Sequence, residues 1–180
     1  DGYKVDHRRQ YPQGTTLVYS NWTPRKSRIE GIDEVVFFGL QYFIKKYIVQ
    51  DFDIHFFKQS KQDVVKKYAR RINNYLGENR VGIEHIEALH DLGYIPMVFK
   101  ALPEGVSVPV RVAMFTMYNT KPEFFWLTNY FETLLSAVIW LPCNSATIAK
   151  QYRKVLDKYA NETSSIPDFV NWQGHDFSMR

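Results

Sequence analysis

Apolar and polar positions follow a strand period in some stretches of the chain and a helical period in others. Thr15 to Ser20 (TTLVYS) is β-branched and aromatic and follows the turn signal Pro12-Gln13-Gly14, which predicts a first strand. From Asp33 the text EVVFFGLQYFIKKYIVQ places Val36, Leu40, Phe43 and Tyr47 at helical spacing. Lys45 and Lys46 fall in its late turns, where the helix dipole favours cations, and the pattern predicts one helix. Ser60 to Leu76 repeats the period, with Ser60 at the N-cap, Asp63 at the capping-box position and Gly77 as a stop. Ile83 to Leu92, closed by Gly93, predicts a further helix.

Pro96 to Leu102, Val106 to Val110 and Val112 to Tyr118 are short apolar segments punctuated by Pro-Glu-Gly and Pro, and predict strands of a small antiparallel or mixed sheet. From Glu123 the run FFWLTNYFETLLSAVIW is apolar on nearly every side, the pattern of a helix enclosed by a larger body, and Pro142 is expected to end it. Ser145 then caps an amphipathic helix, ATIAKQYRKVLDKYA. The polar loop NETSSIPD follows, and FVNW re-enters packed structure before the chain reaches HDFSMR. No internal repeat or low-complexity segment is visible.

Composition bounds this picture without narrowing it much. With 180 residues, 45% hydrophobic and 23% charged, the chain is ordinary globular material, long enough for one domain and the start of a second. The net charge of +4 is too small to point to nucleic acid, and suits a phosphorylated small molecule equally well. One cysteine, Cys143, excludes an internal disulfide framework and fits a reducing, cytoplasmic compartment. The charged opening DGYKVDHRRQ has no signal-peptide core, and the longest apolar run, Leu134 to Cys143, is half the length of a membrane span, so the expectation is a protein with no membrane association. No Gly, Pro or polar tail follows Arg180, which reads as a cut rather than a domain boundary.

Walker, GxGxxG, CxxC and HExxH patterns are absent. His85 and His90 are five apart on a predicted helix, the wrong spacing to share a face, and no metal site is assigned. Cys143 reads as a buried structural thiol. More informative are the polar opening DGYKVDHRRQYP and the basic loop holding Arg25, Lys26 and Arg28. A guanidinium offers the fork that phosphate oxygens accept, although such a loop is equally a solvated one. At the far end Phe177 and Arg180 set a ring and a cation three positions apart, a pair suited to something flat and anionic if the ring keeps an open face.

The stretches DGYKVDH (1–7), QYP (10–12), VFFGLQY (36–42), PEG (103–105), NTKPEFFWLTNYFET (119–133) and HDFSMR (175–180) keep order and spacing over the whole chain. Together they resemble the nicotinamide phosphoribosyltransferases, type II phosphoribosyltransferases that join nicotinamide to phosphoribosyl pyrophosphate. The resemblance implies an α/β fold: a mixed α+β N-terminal domain with a small sheet over residues 1–122, and over 123–180 the start of an irregular α/β barrel. It implies a homodimer with shared active sites, in which the pyridine ring lies between Phe177 of one subunit and Tyr3 of the other. Arg180 and Arg25 would serve phosphate groups. Mg2+ and coupled ATP would take part, and the catalytic residues proper would lie beyond residue 180, so this stretch alone should be inactive. Ser178 and Met179 depart from the glycine and aromatic that often follow HDF in the family.

Two other readings fit the same residues. One is a nicotinate phosphoribosyltransferase, which competition between the two bases would distinguish. The other is a non-catalytic basic and aromatic module for RNA, marked by a steep dependence of affinity on salt.

Overall fold

In a computed structural model, which describes residues 2–175, the chain forms five strands and five α-helices with intervening 3-10 and π-helical turns. Strands β1 (Tyr19–Trp22), β5 (Phe115–Asn119) and β3 (Met97–Ala101) form an antiparallel sheet in that order. Strands β2 (Glu34–Val36) and β4 (Ser107–Pro109) make a separate antiparallel pair. The three predicted strands between residues 96 and 118 therefore all exist but divide between two sheets. The reason lies at Arg111, which has φ 70 and turns the chain between β4 and β5. For an L-residue this left-handed conformation costs about 1–2 kcal/mol.

The helix predicted from Asp33 begins later than its period suggested. Glu34–Val36 pairs with β4, and Phe37 continues the pairing by donating its N–H to the Val106 carbonyl at 3.0 Å. The chain turns at Gly39, whose φ is 103, and only then enters α1 (Leu40–Phe43). Helix α1 runs on into π-helical turns over Ile44–Asp51 and Asp53–Phe57. A side chain at Gly39 would also begin 3.0 Å from the Pro142 ring, so glycine is required twice over. Val36, Leu40 and Phe43 are all buried, which is why a strand followed by a helix mimicked one helical stripe.

Helix α2 (Lys61–Leu76) follows Ser60, but the Ser60 side chain makes no capping hydrogen bond; its carbonyl accepts from Val64 N–H at 3.0 Å instead. Helix α3 (Glu84–Leu92) ends at Gly93 in the left-handed conformation, as its sequence indicated. The apolar run from Glu123 is not one helix. A 3-10 turn and α4 (Leu127–Tyr130) meet α5 (Glu132–Thr163) at 47°, and α5 continues through Pro142 for 32 residues, absorbing the helix assigned to Ser145 onward.

Tertiary contacts carry α5 past its proline. Cys143 Sγ accepts from Phe38 N–H at 3.4 Å and donates to the Phe38 carbonyl at 3.3 Å. One turn on, Thr147 Oγ1 accepts from Val36 N–H at 2.9 Å and donates to the Cys143 carbonyl at 2.6 Å. The backbone of β2 and of Phe38 just beyond it is thus hydrogen-bonded to helix side chains in the turns directly after Pro142, and burial pushes the Cys143 thiol pKa up. Leu135, Ile139 and Cys143 join Phe37, Phe43 and Phe115 in one apolar core, while Phe124, Trp126, Leu127 and Phe131 join Ile86 and Leu89 in a second. No single helix among the described residues is long and apolar enough to cross a bilayer.

Asn119, 3% exposed, fixes the entry to the first sheet. Its amide donates to the carbonyls of Thr16 and Lys121, both at 2.8 Å, and its Oδ1 accepts from Val18 N–H at 2.9 Å. Fully buried Thr128 donates to the Val18 carbonyl at 3.1 Å. The backbone groups of Val18 are thus taken by side chains, so β1 starts at Tyr19 and not at Thr15. Asn119→Ala is expected to cost about 2 kcal/mol or more in denaturant unfolding, because it strands partly buried backbone groups. Asn119→Asp should cost at least as much, since it turns an acceptor toward two carbonyls.

His85 is 7% exposed against Trp126, with ring centroids 4.9 Å apart. Burial lowers its pKa to about 4. It folds neutral, and the unfolded chain takes up its proton first as pH falls. The stability His85 confers is therefore whole above about pH 6.5 and is lost as pH falls toward 4, by at most about 1.4 kcal/mol per pH unit. In thermal melts between pH 7 and 4.5, His85→Gln should show a shallower decline than the wild type.

Candidate functional site

The N-terminal residues form two short 3-10 turns, Gly2–Val5 and His7–Gln10, held at both ends. At Gly2 the Tyr75 phenol packs so close that a β-carbon there would lie 2.2 Å from its oxygen. Lys4 is 7% exposed and pairs with Glu132 at the start of α5. A buried ammonium left without this partner would be strongly destabilising, so the pair fixes where the opening segment lies. Tyr11 is tied in the same way, its hydroxyl accepting from Asn129 and its ring set edge-on to Phe125 at 5.3 Å. Burial raises the Tyr11 phenol pKa.

Between Gly2 and the buried Lys4 stands Tyr3. Its ring is 54% exposed, with the Lys4 ammonium 4.9 Å from its centroid and the His7 ring 5.0 Å away. An aromatic face presented on a rigid turn can stack on a planar group with little loss of conformational freedom on binding.

Arg25 lies in the loop after β1 and lines a cavity of about 680 Å3. Trp22 and Phe115 form one wall, stacked at 5.9 Å with their planes 10° apart, and Asn129 and Glu132 contribute polar groups. Since Glu132 is already neutralised by Lys4, the cavity leaves the Arg25 guanidinium as its uncompensated charge. Among the described residues the Arg25 side chain has no ion pair or hydrogen bond. A larger cavity of about 820 Å3 runs along α2, lined by Lys67, Arg70 and Arg71. It is shallow and solvated, and we place the site at Arg25, where the Lys4–Glu132 pair links the cavity to the Tyr3 turn.

Of the four site residues expected from the sequence, Tyr3 and Arg25 are described, and Phe177 and Arg180 lie outside the described residues. Tyr3 does not line the Arg25 cavity; its turn is joined to the cavity wall through Lys4 and Glu132. Lys4, Asn129 and Glu132 were not singled out by sequence reasoning. For Asn129 and Glu132 the signal was present as polar residues embedded in an apolar stretch, where each must find a partner; Lys4, in the charged opening, carried none. His85 and His90 turn to different surroundings, Trp126 and the Gln59 carbonyl, and no group of metal-ligating side chains occurs among the described residues.

Residues 1–89 match the family described as nicotinamide phosphoribosyltransferase, N-terminal domain. Over its full length the chain is 52% identical to a nicotinamide phosphoribosyltransferase of Acinetobacter baylyi, covering 37% of that protein. It is 31% identical to one of Mycoplasma pneumoniae, again over its full length, covering 42% of it. The chain thus spans about two fifths of the length of the curated relatives it matches. In structure it is similar to human nicotinic acid phosphoribosyltransferase, with a TM-score of 0.53, 16% identity and coverage of 89% of this chain and 27% of that one, a likeness of fold alone. An α/β chain with the fold of a type II phosphoribosyltransferase and a 52% identical relative along every part of it belongs to the nicotinamide phosphoribosyltransferase family, as an N-terminal portion.

Proposed function

We infer that the protein containing this chain condenses nicotinamide with phosphoribosyl pyrophosphate, giving nicotinamide mononucleotide and pyrophosphate in cytoplasmic NAD biosynthesis. The observation that carries this reading is the 52% identity to a protein of that name over the whole chain. The exposed Tyr3 ring on its anchored turn supports it, because a base-stacking side chain must be both rigid and open. Residues 123–180 would begin a barrel completed by further sequence.

In this reading the chain contributes positioning and charge, and no residue within it transfers a proton. Tyr3 of one subunit and Phe177 of the other hold the pyridine with its nitrogen facing the anomeric carbon, which turns an encounter into an oriented attack. Arg25 and Arg180 offset the charge of the phosphate groups as pyrophosphate departs. Mg2+ would bind the donor's phosphates rather than this chain, and ATP would be a coupled substrate. The homodimer supplies the second ring, and the N-terminal portion alone is inactive.

Tyr3→Ala in the complete protein should raise the KM for nicotinamide about tenfold or more, given roughly 1–3 kcal/mol per stacked base. Its melting temperature should shift little, since the ring is half exposed. Steady-state kinetics beside thermal melting tests both, and unchanged nicotinamide kinetics in Tyr3→Ala and Phe177→Ala would remove the stacking assignment.

A further inference from the structure

We propose that Arg111 forms, with Arg25, a two-guanidinium clamp for a phosphorylated anion, deepening the phosphate role given to Arg25 and resting on that reading. Three observations converge on it. Arg111 and Arg25 line one cavity of about 460 Å3 together with Asn21, Thr23 and Pro24. Among the described residues neither guanidinium has an ion pair or side-chain hydrogen bond. Two like charges facing one space without a counter-ion repel, and a multiply charged oxyanion between them removes that repulsion while filling both forks.

The third observation is the backbone. Arg111 has φ 70, one of two non-glycine residues with positive φ among those described. Glycine takes this conformation without penalty, so an arginine here keeps a strain that glycine, lacking a β-carbon, would relieve. The turn itself does not need the guanidinium: it is closed by Arg111 N–H donating to the Pro24 carbonyl at 2.7 Å and Val112 N–H to Pro109 at 3.2 Å, bonds any non-proline residue makes. The first of these backbone bonds joins Arg111 to the residue preceding Arg25. It joins the two loops whose residues line this cavity. What the arginine adds over glycine is its side chain, on a residue that lines the 460 Å3 cavity with Arg25.

Arg111→Gly in the complete protein separates the two contributions, because it relieves the backbone while deleting the fork. Calorimetric titration with inorganic pyrophosphate should show the Kd rising about tenfold or more, with a parallel rise in the KM for phosphoribosyl pyrophosphate, while the melting temperature stays level or rises. Arg111→Lys should recover only part of the affinity, since it restores charge without the fork. Wild-type pyrophosphate affinity in Arg111→Gly, alongside weakened binding in Arg25→Ala, overturns the clamp and leaves the role of Arg25 standing. Wild-type affinity in both variants overturns both. A melting temperature that falls together with affinity in Arg111→Gly makes the residue structural and also overturns the clamp.

Discussion

The pairing of buried Lys4 with the half-exposed Glu132 ties the first turn of the chain to the start of its longest helix, 128 residues away in sequence. An ammonium out of contact with water needs a counter-charge, and this one finds it on the element that also forms one side of the Arg25 cavity. Tyr11 with Asn129 and Val18 with Asn119 and Thr128 repeat the logic along the same stretch. The polar residues of NTKPEFFWLTNYFET act as a socket, and the N-terminal segment is what fills it. Without that socket the opening residues have little apolar surface to bury and nothing to hold Tyr3 at a fixed angle.

The division of labour between polar and apolar side chains follows from this constraint. Apolar residues of the 119–163 region, such as Phe124, Leu127, Leu135 and Ile139, fill two cores and supply the bulk of the stability. The interspersed Asn119, Thr128, Asn129, Glu132 and Thr147 contribute less favourable energy but determine which loops and strands dock where. Thr147 and Cys143 do for β2 what Asn119 does for β1: each satisfies backbone groups at an edge that no neighbouring strand reaches. Charge is arranged on the same principle. Glu132 of the larger Arg25 cavity is paired with Lys4, and Arg25 and Arg111, which line the smaller one without ion pairs among the described residues, are what a phosphorylated ligand would meet.

Much of the fold was legible from the chain of residues. Helices α2 and α3 follow their periods and their terminal glycines, β3 and β4 fall within the predicted apolar segments, and the α/β class and family resemblance rest on motifs read in order. Local rules succeed there because period, turn chemistry and burial agree. They failed at Glu34–Val36, where two elements in succession buried the same face, and at Pro142, where the missing N–H is outweighed by the hydrogen bonds that Cys143 and Thr147 make to Phe38 and Val36.

Of the site, sequence alone determined the residue types: an aromatic at position 3, a basic loop around Arg25, and a ring and guanidinium at Phe177 and Arg180 in a pattern that resembles one enzyme family. Their placement was decided by tertiary structure. Whether a tyrosine is core or open depends on what covers it, and Tyr3 is open because its neighbours Gly2 and Lys4 are the residues held down. Arg111 shows the same limit more sharply, since neither its left-handed backbone nor its place beside Arg25 has a local sequence signal. Both arise from a hydrogen bond between loops 87 residues apart, and pairing over such a distance is settled only when the whole chain packs.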